Sequence, residues 1–330
     1  MKRTLSLLII SLFLIAITAG CMDRSQVKQD FTAALAKHTD MQTYSFSGSA
    51  QIEIHPSDLE TPSKSLSADL IQLLMNRTIT WEGIAATSPL QLEATIHLAA
   101  SGPSTPYEIP LLIKDNMMYI HIPMLNSENQ YMEIDFVKLN EITGKSNNTT
   151  MEQIGLAGQL FTGLVDTIVG SIDPKYFSEH KLEQQAGNRE LIATIKTDQT
   201  ETAVKLWLDS APLIMDQLVN AGYMPDFTAS LGTPSASDDP QKQLEAYKNE
   251  IELHKPVIFS TIIDDQGFMR ELKLNVDMTR TKTDVQAARQ WKIDILSKYD
   301  DINQAPAFKR DIPEDVLPFT ELLKVMTTQP

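Results

Sequence analysis

The feature that most constrains this chain is an apolar–polar alternation of period two that returns along most of its length. Tyr44, Phe46, Gly48, Ala50, Ile52 and Ile54 fall on one side of their stretch, and Ser45, Ser47, Ser49, Gln51 and Glu53 on the other. Successive side chains of a strand point to opposite faces, so the pattern predicts a strand with one dry and one wet face. Leu90, Leu92, Ala94, Ile96 and Leu98 repeat it against Gln91, Glu93, Thr95 and His97. So do Met118, Ile120 and Ile122, then Met132, Ile134 and Phe136, then Leu272, Leu274, Val276 and Met278, and then Trp291, Ile293 and Ile295.

Shorter strands are predicted at Ile79–Trp81, near Glu108–Lys114, at Leu191–Lys196 and at Val257–Ile263. Asp115-Asn116 is a tight hairpin signal, and Asp264-Asp265-Gln266-Gly267 joins another pair. The tally is about ten strands in two meanders. An α+β fold satisfies it: one large curved antiparallel sheet, a half-barrel, with helices packed on its concave dry face.

The helices are read from a 3.6-residue period. Val27, Phe31, Ala34 and Leu35 predict one to Lys37, and Leu66–Met75 a second. Thr200 caps a helix to about Asp209, and Ser210 opens another to Asn220, although Val204–Leu208 fits a short strand equally well. Asp239-Pro240 starts a helix to His254. An apolar tail helix carries Val316, Leu317, Phe319, Leu322 and Leu323, and 229–240 reads as a flexible loop.

The stretch Met151–Ile172 differs from the rest. It holds Leu156, Leu160, Phe161 and Leu164, with Gly155, Gly158, Gly163 and Gly170 interspersed and only Glu152 and Asp166 charged. A helix apolar over most of its circumference is buried on more than one side. Its glycines call for close packing or tolerate mobility, since each costs a helix ~1 kcal/mol relative to alanine. Leu156, Leu160, Phe161 and Leu164, with Met118 and Met132 of the meander, are the candidate lining of a cavity between helices and sheet; ordinary core explains the methionines as well.

The chain opens with Lys2 and Arg3, an apolar run from Leu5 to Ile17, and Thr18-Ala19-Gly20-Cys21, which predicts a secretory signal peptide over 1–20. Cys21 is the one cysteine of the 330 residues, so no intramolecular disulfide is available, and a cysteine committed to lipid would leave no zinc–thiolate site or thiol nucleophile either. Signal removal takes the formal charge from −15 to −17, which disfavours nucleic acid as a partner. Residues 21–26 then read as a tether and 27–330 as a single domain.

The run ending at Cys21 resembles a bacterial lipobox, with Thr18 where leucine is commonest. The order of elements resembles the LolA/LolB-like and LppX/LprG-like lipoproteins. The resemblance rests on Cys21, the Tyr44–Ile54 strand after a first helix, and the meander ending Gln130-Tyr131-Met132-Glu133-Ile134-Asp135. It extends to the tail Tyr299-Asp300-Asp301-Ile302-Asn303 followed by Phe308 and Ile312-Pro313. It implies a lipid-anchored protein on the extracytoplasmic face of the cell membrane, carrying a lipid or acyl chain between sheet and helices. The alternative is a non-catalytic envelope accessory protein acting through protein–protein contacts.

No residues argue for catalysis. The six histidines form no close ligand pair, and no nucleophile elbow, phosphate-binding loop or dinucleotide fingerprint occurs, so no cofactor or metal is expected. His97 and His121 fall on wet faces, and Asp238-Asp239, Asp264-Asp265 and Asp300-Asp301 suit turns and caps.

Overall fold

The computed structural model describes residues 23–54, 77–99, 107–123, 126–138, 162–182, 187–220, 249–281 and 289–321. Thirteen strands form one open sheet: β1 Thr43–Ile54, β2 Arg77–Thr87, β3 Leu90–Ala99, β4 Tyr107–Lys114, β5 Met117–Ile120, β6 Tyr131–Asp135, β7 Phe177–Lys181, β8 Arg189–Ile195, β9 Ile251–Leu253, β10 Val257–Ile263, β11 Met269–Arg280, β12 Arg289–Asp300 and β13 Val316–Pro318. Their order is β13-β6-β5-β4-β3-β2-β1-β12-β11-β10-β8-β7, with β9 also on β11.

The strands number more than the ten expected, and the sheet is mixed, because β13 runs parallel to β6. Its open order remains consistent with a half-barrel. β1 is the hub, pairing over most of its length with β2 on one side and β12 on the other. The two meanders therefore meet at the first strand of the chain.

The registers carry the alternation across the sheet. One row runs through nine strands as Phe177, Ala193, Phe259, Leu274, Ile295, Ala50, Ile79, Leu98 and Tyr107. The opposite face carries cross-strand polar pairs, with Lys292 donating to Glu53 at 2.9 Å and Asn275 to Asp294 at 2.6 Å. A one-residue slip would turn every strand inside out, so the dry row fixes the register.

Three longer helices lie among the described residues, besides short helical stretches at 136–138 and 319–321. α1 spans Arg24–Lys37, and the Asp23 carboxylate caps it by accepting from the Ser25 and Gln26 amides. The helix thus begins three residues before the apolar period does and takes up most of the expected 21–26 tether. α2 occupies 162–171. α3 spans Thr200–Asn220 without the expected restart at Ser210, which settles Val204–Leu208 as helix. Ser210 lies buried inside α3 with its hydroxyl unpartnered among the described residues. Pro212 removes the backbone hydrogen bond to residue 208 at a cost of ~3 kcal/mol, and the helix continues through it.

Two further expectations give way to strands. The end of the helix expected to His254 is β9, where buried Ile251 and Leu253 alternate with exposed Glu252 against β11. The start of the expected tail helix is β13, helix begins at 319, and Leu322 and Leu323 lie outside the described residues. β7 goes beyond the sequence reading; its Phe177 meets Phe31 of α1 edge to face at 6.1 Å. The expected helix at 66–75 and the loop at 229–240 lie outside the described residues.

Between β12 and β13 the chain crosses the wet face as a strap. Asp301 and Asn303, at φ 50° and 58°, turn it out of β12. The Asn303 amide donates to the Thr43 carbonyl at 2.7 Å, and Ser45 Oγ to the Asp301 carboxylate at 2.9 Å. Midway, Glu93 of β3 accepts the Lys309 and Arg310 amides at 2.7 and 3.0 Å. The Arg310 guanidinium donates to the Ala94 carbonyl and to Thr95 Oγ1. At the far side the Tyr131 amide donates to the Asp315 carbonyl at 2.9 Å, and β13 begins.

Candidate functional site

The dry face divides into two halves. On β7, β8, β10 and the adjoining end of β11 it is sealed: Phe177, Leu191, Ala193, Ile195 and Met269 are at most 1% exposed. Val27, Phe31, Ala34 and Leu35 of α1 close it, with Val165 and Val169 of α2 and Ile172 just beyond. Arg189 ties β8 to α1 through Asp30 at 3.0 Å.

On the half running from β12 through β1 to β6, most of the large apolar side chains described on the same face are only half-buried. Ile295, Trp81, Ile96, Leu111, Met118 and Ile134 are all in this state, whereas Leu98, Ile113 and Met132 are buried. Half-buried apolar side chains on the inner face of a sheet are what an apolar ligand would cover.

The centre of this half has a low floor. Gly48 pairs with Trp81, and Phe46 with Gly83. A Cβ at Gly48 would stand 2.5 Å from the Trp81 ring and 2.4 Å from the Leu296 carbonyl; one at Gly83 would stand 2.6 Å from the Phe46 ring and 2.4 Å from the Glu93 carbonyl. Each ring therefore lies over its glycine instead of standing up from the sheet. Ala50, Ala85 and Ala94, all buried, complete the floor.

An aromatic cluster sits where α1 ends on the sheet. The His38 ring lies 5.0 Å from Tyr299 and 5.7 Å from Tyr44, and those two tyrosines are 5.9 Å apart. Burial lowers the His38 pKa to about 4, and its Nδ1 has no hydrogen-bond partner among the described residues. Burial also raises the pKa of Tyr44 and, with the Tyr44 charge, that of Tyr299. His38 is thus a neutral core residue.

Three of the seven sequence-selected residues are placed. Met118 and Met132 share the dry face of neighbouring strands, β5 and β6. Leu164 is half-buried on α2 and does not belong to the buried cluster. Cys21, Leu156, Leu160 and Phe161 lie outside the described residues. Over 162–171 the helix is not apolar all round, since Asp166, Gly170 and Ser171 are exposed. Gly163 and Gly170 have open space where a Cβ would stand, so close packing does not explain them.

The glycine–aromatic floor escaped selection in the sequence, although Gly48 stood plainly in a strand. A glycine inside a strand marks a close approach, which was the available signal. Of the acidic pairs, Asp264 holds its turn by accepting from the Gln266 and Phe268 amides and from Arg270. A second recess, about 330 Å³, lies under the strap beside Ser45 and Ile84, and its strap side is the exposed segment 304–307. Among the described residues no His, Cys, Asp and Glu side chains gather to hold a metal, and no helix is long and apolar enough to cross a membrane.

No family model matches the chain, and no curated protein sequence matches it. Among solved structures, the crystal structure of LprF from Mycobacterium bovis aligns over 87% of this chain and 96% of that one, at 10% identity and a TM-score of 0.33.

Proposed function

We propose that this chain is a lipoprotein, anchored through Cys21 on the extracytoplasmic side of the membrane, whose dry sheet face binds an apolar ligand such as a lipid or acyl chain. The observation that carries the reading is the contrast between the halves of that face. One half is closed by α1 and α2, and the other holds Trp81, Ile96, Leu111 and Met118 half-buried above a floor of glycine and alanine. Burying apolar surface yields ~25 cal/mol per Å², so a chain laid over several such residues gains a useful affinity without polar contacts. Leu164, with Leu156, Leu160 and Phe161 before it, supplies the helical side of the site, and no catalytic group is assigned.

Mass spectrometry tests both parts on one preparation. Native spectra of the purified protein should show a bound apolar molecule that organic solvent extracts, and the N-terminal peptide should begin at Cys21 with the mass of its acyl chains. A bare protein mass in the native spectrum rejects the carrier reading. An unmodified Cys21 in the membrane fraction rejects the anchor.

A further inference from the structure

The cap of α1 stands two positions after Cys21, at Asp23. The first turns of α1 are fixed to one end of the sheet. Arg24 Nη1 donates to the Lys175 carbonyl at 2.7 Å, just before β7, and Lys28 Nζ donates to the Gly170 and Ile172 carbonyls at 2.7 and 2.6 Å. α1 then runs along the sheet to the opposite end. There Lys37 Nζ donates to the Gln266 carbonyl in the β10–β11 turn and lies 4.5 Å over the Phe268 ring.

The pairings define the two ends all the way across. At the end holding Arg24 and Lys175 lie the start of β7, the β9–β10 turn at 254–256, the start of β12 and the start of β4 at Tyr107. At the other lie the β4–β5 hairpin at Asp115-Asn116 and the turn at 264–267.

We infer that the end marked by Arg24, Lys175 and Tyr107 docks on the bilayer to which Cys21 is attached, so that the dry face meets the membrane at that rim. This rests on the lipid anchor proposed above. Two residues reach at most ~7 Å, whereas the twelve residues of β12 rise ~40 Å. A tether that short keeps the near end against the headgroups and holds the 115–116 and 264–267 turns away from them. Arg24, Lys28 and Lys175 place three cations there beside Asp23 and Asp173, in a chain that is strongly acidic overall. Tyr107 stands 39% exposed on the same rim, and aromatic side chains of this kind settle at the membrane–water boundary. An apolar ligand could then pass between bilayer and dry face without the anchor leaving the membrane.

The test couples Cys21 of the mature chain to maleimide-bearing phosphatidylcholine–phosphatidylglycerol vesicles. Amide hydrogen exchange is compared with the same chain capped at Cys21 by a soluble maleimide. Slower exchange at 24–28, 175–176 and 254–255, with 115–116 and 265–267 unchanged, is the expected result. Slowing at the 115–116 and 265–267 turns, equal slowing at both ends, or no slowing anywhere would overturn the docking. The coupling is chemical, so this outcome is independent of acylation in the cell, which the acyl mass on Cys21 decides separately.

Discussion

His38 illustrates how a single buried residue ties stability to pH. Its pKa falls from 6.5 to about 4 in the fold because burial penalises the imidazolium. A group whose folded pKa is depressed contributes stability above its unfolded pKa and loses it as pH falls. The window is therefore between pH 6.5 and about 4, and the full effect is ~3 kcal/mol. His38→Phe should flatten the fall in melting temperature between pH 7 and pH 4.5, measured beside wild type in the same buffers. The glycines offer a second residue-scale comparison. Gly48→Ala and Gly83→Ala drive a Cβ into backbone and ring, so each should cost ~1–3 kcal/mol in urea unfolding. Gly163→Ala and Gly170→Ala meet open space on a helix and should each stabilise by up to ~1 kcal/mol. The neighbours of each glycine in the fold separate the two pairs.

Among the elements, the long strands were legible because both faces of each are specified, one by apolar and one by polar side chains. β1, β3, β11 and β12 are found where the alternation put them. The short strands were not. β9 carries its alternation over only Ile251, Glu252 and Leu253, and it sits at the end of a stretch with a good helix start. β13 is set by its partner β6 more than by its own three residues. The strap was likewise hidden, because its fixing points lie far along the chain from their partners, 216 residues for Glu93 with Lys309. Glu93→Ala leaves the Lys309 and Arg310 amides without their acceptor and removes the carboxylate 3.8 Å from the Arg310 guanidinium. The loss should be ~2 kcal/mol in urea unfolding, with faster amide exchange confined to the strap and β13. Unchanged exchange at 309–318 would contradict the role given to Glu93.

For the molecule as a whole, one sheet serves two purposes. Its β7–β11 side makes a closed core with α1 and α2, and its β12–β6 side keeps apolar side chains half-buried on the same face. The sequence made the dry face legible and left its division hidden, since Leu191 and Ile96 both lie in strands read from the sequence and only their burial in the fold separates them. Leu191 is 0% exposed in the closed half, and Ile96 is half-buried in the other. Binding of a fluorescent fatty acid by wild type, Ile96→Asp and Leu191→Asp, read together with their melting curves, tests this division most directly. The account predicts that wild type binds the probe, that Ile96→Asp melts cooperatively but binds it at least tenfold more weakly, a difference of ~1.4 kcal/mol, and that Leu191→Asp loses its cooperative transition. A wild-type protein that binds no probe, with Ile96→Asp unfolding as completely as Leu191→Asp, would contradict it.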